Sequence, residues 1–320
     1  MARRLQLILA LVVLLTTAQL AADWGQEDPR HWLQLMSDAA QSVTFSGELV
    51  YGQGDHLVAL QVVRVHQEPG KFRERIYSLS GASREILRDA GTMTRITPAE
   101  RAIMVDHTEI RRRITDLTEE QIRSLDSWYS MMIVGEDRVA DRSALVIRVK
   151  PEDDYRYAYV FWICRQTGLL LRSQMMDAEG DILEQFMFVS IRIDDAAEAE
   201  VEPTLDHEGF RRIEVEPARE PEDAGQWSVN SLPGGYQLLG EGWRNMHGMR
   251  KPVRHLIYGD GLGSVSIYVS PDTGKPFHGQ SGRGAMHVAG RIVGDYQVTV
   301  VGDVPKPAVR RILEGLEYQP

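Results

Sequence analysis

The amino-acid sequence predicts an α+β protein of two domains, a large one built on a curved antiparallel sheet covered by helices and a smaller α+β one. Short runs rich in β-branched and aromatic residues, separated by glycine-containing turns, fill most of the chain, whereas amphipathic helical stripes are few. An acidic, proline-containing segment then divides the chain. The predicted domains are residues 23–200 and 226–320, joined by an acidic linker over 201–225.

The first residues, 1–22, are predicted to be a removable signal peptide. The basic pair Arg3-Arg4 is followed by an unbroken apolar run, Leu5–Leu15. That run is shorter than the roughly 20 residues of a membrane-spanning helix and matches the core of a signal peptide. Cleavage after Ala18 or after Ala22 fits the small residues there, and a retained anchor is the alternative. We expect the mature protein to be soluble and to work outside the cytoplasm.

The large domain is predicted to begin with a helix and a strand meander. Between Pro29 and Val43, apolar residues recur every three or four positions, which makes one helical stripe. Strands are predicted where β-branched and aromatic runs alternate with turn residues, at 45–51, 57–66, 72–79, 83–88, 93–97 and 101–106. Turns this short make sequential strands neighbours in an antiparallel sheet.

A second helix is predicted to start at Thr118. Thr118 and Gln121 have the capping-box spacing, in which a hydroxyl and a carboxamide satisfy two backbone N–H groups. The apolar residues expected on one face of this helix are Ile122, Leu125, Tyr129 and Met132. Further strands are predicted at 144–150, 155–164, 169–176 and 182–193. The two helices are expected to cover the concave side of the sheet.

The smaller domain is predicted to consist of strands and a closing helix. Its strands are expected at 236–243, 253–259, 264–270, 285–293 and 295–301. The helix is expected over Lys306–Tyr318, after Pro305. The linker before this domain has few hydrophobic residues and many like charges, so it is not expected to fold on its own.

The sequence lacks the motifs of common enzymes. Its histidines do not have zinc-site spacing, and Gly279–Arg283 has arginine where a nucleophile elbow needs glycine. Cys164 lies in an apolar run and is expected to be buried. We therefore predict no catalytic residue, no cofactor and no metal, and a binding protein rather than an enzyme. The net charge of −10 argues against nucleic acid as a partner.

Two sets of residues are candidate binding surfaces. Aromatic and thioether side chains at the predicted end of the second helix suit an adaptable lipid groove, although they could simply plug the sheet: Trp128, Tyr129, Met131 and Met132. In a second set, aromatic, methionine and basic residues interleave as in protein-interface hot spots: Trp243, Arg244, Met246, Met249, Arg250, Lys251 and Arg254. A solvated hairpin loop explains this second set equally well. The basic run Arg111–Arg113 is a third candidate, with a solvated strand end as its alternative.

Several strings along the chain carry a resemblance to a known family. They are Ile133–Arg142, Val146–Val149, Tyr155–Trp162, Thr167–Leu170, Leu183–Phe186, Leu232–Tyr236, Tyr258–Leu262, Ser264–Val269 and Val298–Pro305. In this order and spacing they resemble the RseB/MucB family of periplasmic sigma-E regulators. The likeness covers essentially the whole mature chain, although 40–115 matches by pattern more than by identity.

The resemblance implies a fold and a function. The large domain would be a half-open antiparallel β-barrel like that of the lipoprotein carriers. Family members bind the periplasmic region of an inner-membrane anti-sigma factor, shield it from site-1 proteolysis and release it on sensing a lipid or lipopolysaccharide-type signal. The resemblance also implies a periplasmic location and a homo-oligomer. The alternative is a periplasmic lipid or lipoprotein carrier, which the second domain and the linker argue against.

Overall fold

The structure is a computed structural model, and it describes the chain from residue 27 to residue 319. Within that range it does not describe 69, 70, 90, 108–114, 195, 197, 222–224, 247, 248, 250 and 272–276. The predicted signal peptide, Arg111–Arg113 and Arg250 lie outside the described residues. In the described part of the chain, no helix has the length and apolar character needed to cross a membrane.

Helix α1 (Pro29–Ser42) begins where the sequence predicts it. The Asp28 carboxylate accepts a hydrogen bond from the backbone N–H of Arg30 at 2.9 Å, and Pro29 occupies the first turn. Leu33 and Met36 are fully buried, and Trp32, Ala39 and Ala40 are almost so. This face packs onto the large sheet, so α1 covers the sheet as expected.

The large sheet contains twelve strands from the described residues. Its strands are β1 (Phe45–Gln53), β2 (His56–Glu68), β3 (Lys71–Ser78), β4 (Glu85–Asp89), β5 (Thr92–Thr97), β6 (Ala102–Asp106), β7 (Tyr129–Val139), β8 (Arg142–Pro151), β9 (Ala158–Cys164), β10 (Leu170–Met176), β11 (Ile182–Ile193) and β12 (Arg211–Val215). The spatial order is β12-β6-β5-β4-β3-β2-β1-β11-β10-β9-β8-β7. Two meanders therefore meet at the antiparallel pair of β1 and β11, in which Phe45 lies opposite Ile193.

Helix α2 (Glu119–Leu125) has the predicted capping box but is shorter than predicted. The Thr118 hydroxyl accepts from Gln121 N–H at 3.2 Å, and the Gln121 carboxamide accepts from Thr118 N–H at 2.9 Å. The expectation that Tyr129 and Met132 continue this helix is wrong. Both belong to β7, where burial alternates with a period of two and the backbone pairs with β8. Ladder pairing with β8 overrides the helical spacing.

The segment expected to be an unstructured linker carries short strands. β12 pairs in parallel with β6 at the edge of the large sheet. Glu216 follows, and β13 (Pro217–Ala218) then pairs with the smaller sheet. The chain therefore passes from one sheet to the other through a single residue.

The smaller domain has a seven-stranded sheet, a two-stranded sheet and one helix in its described residues. Its elements are β14 (Gln226–Val229), β15 (Gln237–Arg244), β16 (Val253–Gly259), β17 (Ser264–Pro271), β18 (Gly279–Arg283), β19 (Met286–Val293), β20 (Tyr296–Gly302), α3 (Lys306–Glu314) and β21 (Leu316–Gln319). The predicted closing helix ends four residues early, because Gly315 caps it and β21 then pairs with β14. The predicted α+β class is confirmed.

Candidate functional site

An apolar cavity of about 260 Å³ lies between helix α1 and the large sheet. Its walls are mainly inward-facing aliphatic and aromatic side chains, Met36, Ala40, Phe45, Leu49, Tyr51, Leu60, Val62, Ile76, Leu169, Leu170, Phe186 and Phe188. Arg64, Glu74 and Arg88 also line it. The cavity can hold part of an apolar chain, and a polar group of the same ligand would meet these charges.

The charged residues beside the cavity belong to a buried ladder across β2, β3 and β4. Arg64 pairs with Glu74 through its Nε at 3.0 Å, and Arg88 reaches the same carboxylate at 2.8 Å. Arg75 pairs with the fully buried Glu85. Burial works to raise the pKa of Glu85, but Arg75 and the backbone N–H groups of residues 204 and 205 outweigh it and hold this pKa below its ordinary value. The paired side chains of this ladder tie β2, β3 and β4 together and stiffen this wall of the cavity.

The two domains meet at a buried polar cluster. Asp260, in the turn between β16 and β17, accepts from Arg156 Nε at 2.7 Å and from the Tyr129 hydroxyl at 2.9 Å. Its other oxygen accepts from the N–H groups of Leu262 and Gly263 at 3.0 and 2.9 Å. The Arg156 and Asp260 side chains are 0% and 2% exposed. This cluster joins β7 and the chain before β9 to the smaller domain.

Apolar contacts surround that cluster. Leu262 and Ala285 of the smaller domain belong to the same buried core cluster as Leu33, Met36 and Tyr129. The hydrophobic core of the large domain is therefore completed by residues of the smaller one.

Trp128 also lies between the domains. A Cβ added at Gly234 or Gly235 would lie 2.1 or 2.3 Å from the Trp128 ring, which shows how closely the ring packs on this turn. The Arg156 guanidinium lies 5.0 Å from the centroid of the same ring.

The four residues predicted to form a lipid groove lie elsewhere than the apolar cavity. Trp128 and Tyr129 are at the domain interface, Met131 packs on the core, and Met132 is half-exposed on β7. None of them lines the cavity. The prediction did not include the residues that line this cavity, although the period-two pattern from Phe45 to Tyr51 carries part of the signal.

The second predicted surface is partly brought together. Trp243 and Lys251 line a cleft of about 400 Å³ together with Tyr296, Tyr318 and three prolines. The exposed side chains of Met246 and Met249 are close to these residues in the chain. Tyr296 comes from β20 and Tyr318 from β21, and neither is among the residues predicted for this surface.

Two of the predicted basic residues face carboxylates of the same chain. Arg244 lies 3.9 Å from Asp106 at the end of β6, and Arg254 lies 3.2 Å from Glu241. These contacts make Trp243 a better candidate for binding a partner than the two arginines.

The polar cluster at the domain interface is not built like an active site. Burial first, and then the Asp260 carboxylate, raise the pKa of Tyr129 well above its ordinary value, so its hydroxyl stays a donor. Both Asp260 oxygens are occupied by donors of the protein. The cluster positions the two domains.

Comparison with known proteins defines the family. Residues 28–206 match the sequence model of the MucB/RseB N-terminal domain, and residues 221–317 match that of the MucB/RseB C-terminal domain. The chain belongs to the MucB/RseB family. This confirms the resemblance seen in the sequence.

Several members of the MucB/RseB family are similar along nearly their whole length. The sigma factor AlgU regulatory protein MucB of Pseudomonas aeruginosa is 30% identical over 296 residues, 89% of each chain. The sigma-E factor regulatory protein RseB of Escherichia coli is 24% identical over 289 residues, again 89% of each chain. The crystal structure of MucB in complex with MucA(peri) is 27% identical with a TM-score of 0.71, covering 92% of this chain and 100% of that one.

Proposed function

We propose that this chain is a periplasmic regulator that binds the periplasmic region of a membrane-spanning anti-sigma factor and shields it from site-1 proteolysis. The observation that carries the proposal is the aromatic cleft of the smaller domain, in a chain whose family members are named as sigma factor regulatory proteins. MucB, which has been solved in complex with MucA(peri), shares this fold. The predicted signal peptide supports the periplasmic location.

The cleft has the chemistry of a protein-binding surface. Trp243, Tyr296 and Tyr318 offer large aromatic area in the cleft. Met246 and Met249 add exposed apolar surface nearby. Aromatic residues dominate hot spots because they bury much area at low entropic cost. A cleft of this size accepts one or two anchoring side chains of an extended segment.

A lipid-type signal would act through the cavity in the large domain. Met36 lines the cavity and also belongs to the core cluster that contains Leu262. A ligand that displaces α1 from this position therefore disturbs the contact between the domains. Such a ligand weakens partner binding only if it prefers the disturbed arrangement.

The test is protection of the anti-sigma periplasmic region from its protease. Trp243→Ala should weaken binding by about 2 kcal/mol, which is roughly a 30-fold higher dissociation constant, and protection should fall in parallel. Leu238→Ala is the matched control, because Leu238 is an exposed apolar residue on the same strand. Equal affinity in the two variants would remove the cleft from the proposal, and cleavage unaffected by the wild-type protein would sink the function.

The cavity itself favours a second candidate function, a periplasmic lipid or lipoprotein carrier. Deleting residues 226–320 is a poor discriminator, because Leu262 and Ala285 would leave the core of the large domain. Val62→Phe fills the cavity instead, and Leu57→Phe on the exposed part of β2 is its control. We expect Val62→Phe to weaken binding of a fluorescent fatty acid about tenfold or more. A carrier would also move labelled lipid between vesicles, whereas a regulator would only lose its partner on loading.

A further inference from the structure

A histidine and two carboxylates converge where the chain passes between the sheets. Within the described residues, His107, Glu214 and Glu216 offer ligand atoms that all lie within 4.8 Å of one another. His107 Nε2 lies 3.0 Å from a Glu214 oxygen and 3.7 Å from a Glu216 oxygen. Neighbouring ligands around a tetrahedral zinc ion are about 3.3 Å apart, given bonds of about 2.0–2.1 Å. The three groups therefore stand near coordination spacing.

The backbone builds this arrangement. β12 runs parallel to β6, and His107, the residue after β6, donates its backbone N–H to the Val215 carbonyl at 3.1 Å. Glu214 and Glu216 flank Val215, and residues two apart in an extended chain project to the same side. Both carboxylates are thus presented to the imidazole by strand geometry rather than by chance rotamers.

The charges of the cluster favour a divalent cation. Two carboxylates this close repel each other, and among the described residues Arg212 contacts Glu214. A divalent ion would be held by all three groups at once and would be the largest local charge. One imidazole nitrogen with carboxylate oxygens suits zinc-class transition metals, whereas calcium and magnesium prefer oxygen alone.

We propose that His107, Glu214 and Glu216 bind one divalent transition-metal ion of the zinc class. Glu216 is the residue that links β12 of the large sheet to β13 of the small one. A metal held there fixes the crossing between the domains. This proposal differs from the prediction of no metal. Motifs of zinc sites place their ligands a few residues apart, whereas His107 is 107 residues from Glu214.

The direct test titrates the tag-free, full-length purified protein with Zn²⁺ by calorimetry and with Co²⁺ by visible absorption. We expect one ion per chain. His107→Gln and Glu216→Gln should each weaken binding by about tenfold or more, because each removes one of three protein ligands. Glu208→Gln, an exposed carboxylate of the same segment, should bind like the wild type.

Limited proteolysis supplies the second measurement. Zn²⁺ should slow cleavage within residues 211–221 in the wild type and leave His107→Gln unaffected. Absence of saturable Zn²⁺ binding, or wild-type affinity in His107→Gln, overturns the site. Binding that leaves the cleavage rate unchanged overturns the fixing of the crossing.

Discussion

Replacing Asp260 with asparagine tests whether the two domains form one cooperative unit. The change leaves Oδ1 to accept from Leu262 and Gly263, but it puts an amide NH₂ where Oδ2 faces two donors, Arg156 Nε and the Tyr129 hydroxyl. Arg156 would then keep Asp153 as a counter-charge but lose its fully buried partner. Removing one partner of a buried ion pair costs about 3–5 kcal/mol. Because the ion pair with Asp153 remains, we expect a loss at the lower end of this range, about 3 kcal/mol, in the free energy of unfolding.

The assay is urea denaturation of the whole protein, followed by fluorescence and circular dichroism. Tyr129→Phe removes a single hydrogen bond and should cost about 0.5–1.5 kcal/mol, so the two variants form a graded series. Glu241→Gln is the control, because its partnership with Arg254 is solvent-exposed and such pairs contribute about 0–1 kcal/mol. An Asp260→Asn cost as small as that of Glu241→Gln would refute the view that this cluster holds the domains together.

Two further predictions concern the same interface. Gly234→Ala should destabilise the protein by about 1–3 kcal/mol, because its Cβ would overlap the Trp128 ring. Gly242→Ala is the control, because a Cβ there meets nothing within 4 Å. Thermal unfolding of the two variants tests this difference. Burial first, and then the negative charge of Asp303, raise the pKa of Glu184, although a hydrogen bond from Tyr51 opposes them. The Glu184 carboxyl therefore binds its proton more tightly in the folded state than in the unfolded chain. The free energy of unfolding falls as pH rises from 4.5, the ordinary pKa of this group, through its raised pKa in the folded state. Glu184→Gln should raise the melting temperature at neutral pH but not below pH 4.5. The exposed control Glu48→Gln should show no such difference. An equal change in melting temperature at both pH values for Glu184→Gln would contradict the raised pKa of Glu184.

The local elements of the fold follow from the sequence because their signals are local. The Asp28 cap and the capping box at Thr118 each fix a helix start within three residues of chain. The end of α3 also had a signal, since Gly315 stands at its C-cap. The prediction was wrong where one segment fits two patterns. The sequence of Tyr129–Val139 is compatible with both helical spacing and a strand, and it forms a strand because it pairs with β8.

Long-range pairings could not be read from the sequence. β12 has little apolar character of its own, and it becomes a strand because the edge of β6, about 100 residues away, offers unpaired backbone groups. Arg156 and Asp260 are likewise 104 residues apart. The local composition around residues 243–254 indicates Trp243 and Lys251 as binding candidates. It does not indicate Tyr296 and Tyr318, which the sheet topology brings to the same cleft.

The strength of the interface limits how a lipid signal can act. For every 1.4 kcal/mol (about tenfold in an equilibrium constant) by which the interface favours the observed domain arrangement, a ligand must prefer the separated arrangement by a further factor of about 10 to populate it equally. A cavity of about 260 Å³ offers contact to only part of an acyl chain, and its walls belong to the large domain. Displacing α1 requires a smaller difference in ligand affinity, because the Arg156–Asp260 ion pair stays intact. Met36 of α1 lines the cavity and also belongs to the core cluster at the interface. In the proposed mechanism, a lipid ligand would therefore move α1 first and loosen the contact at Leu262 second.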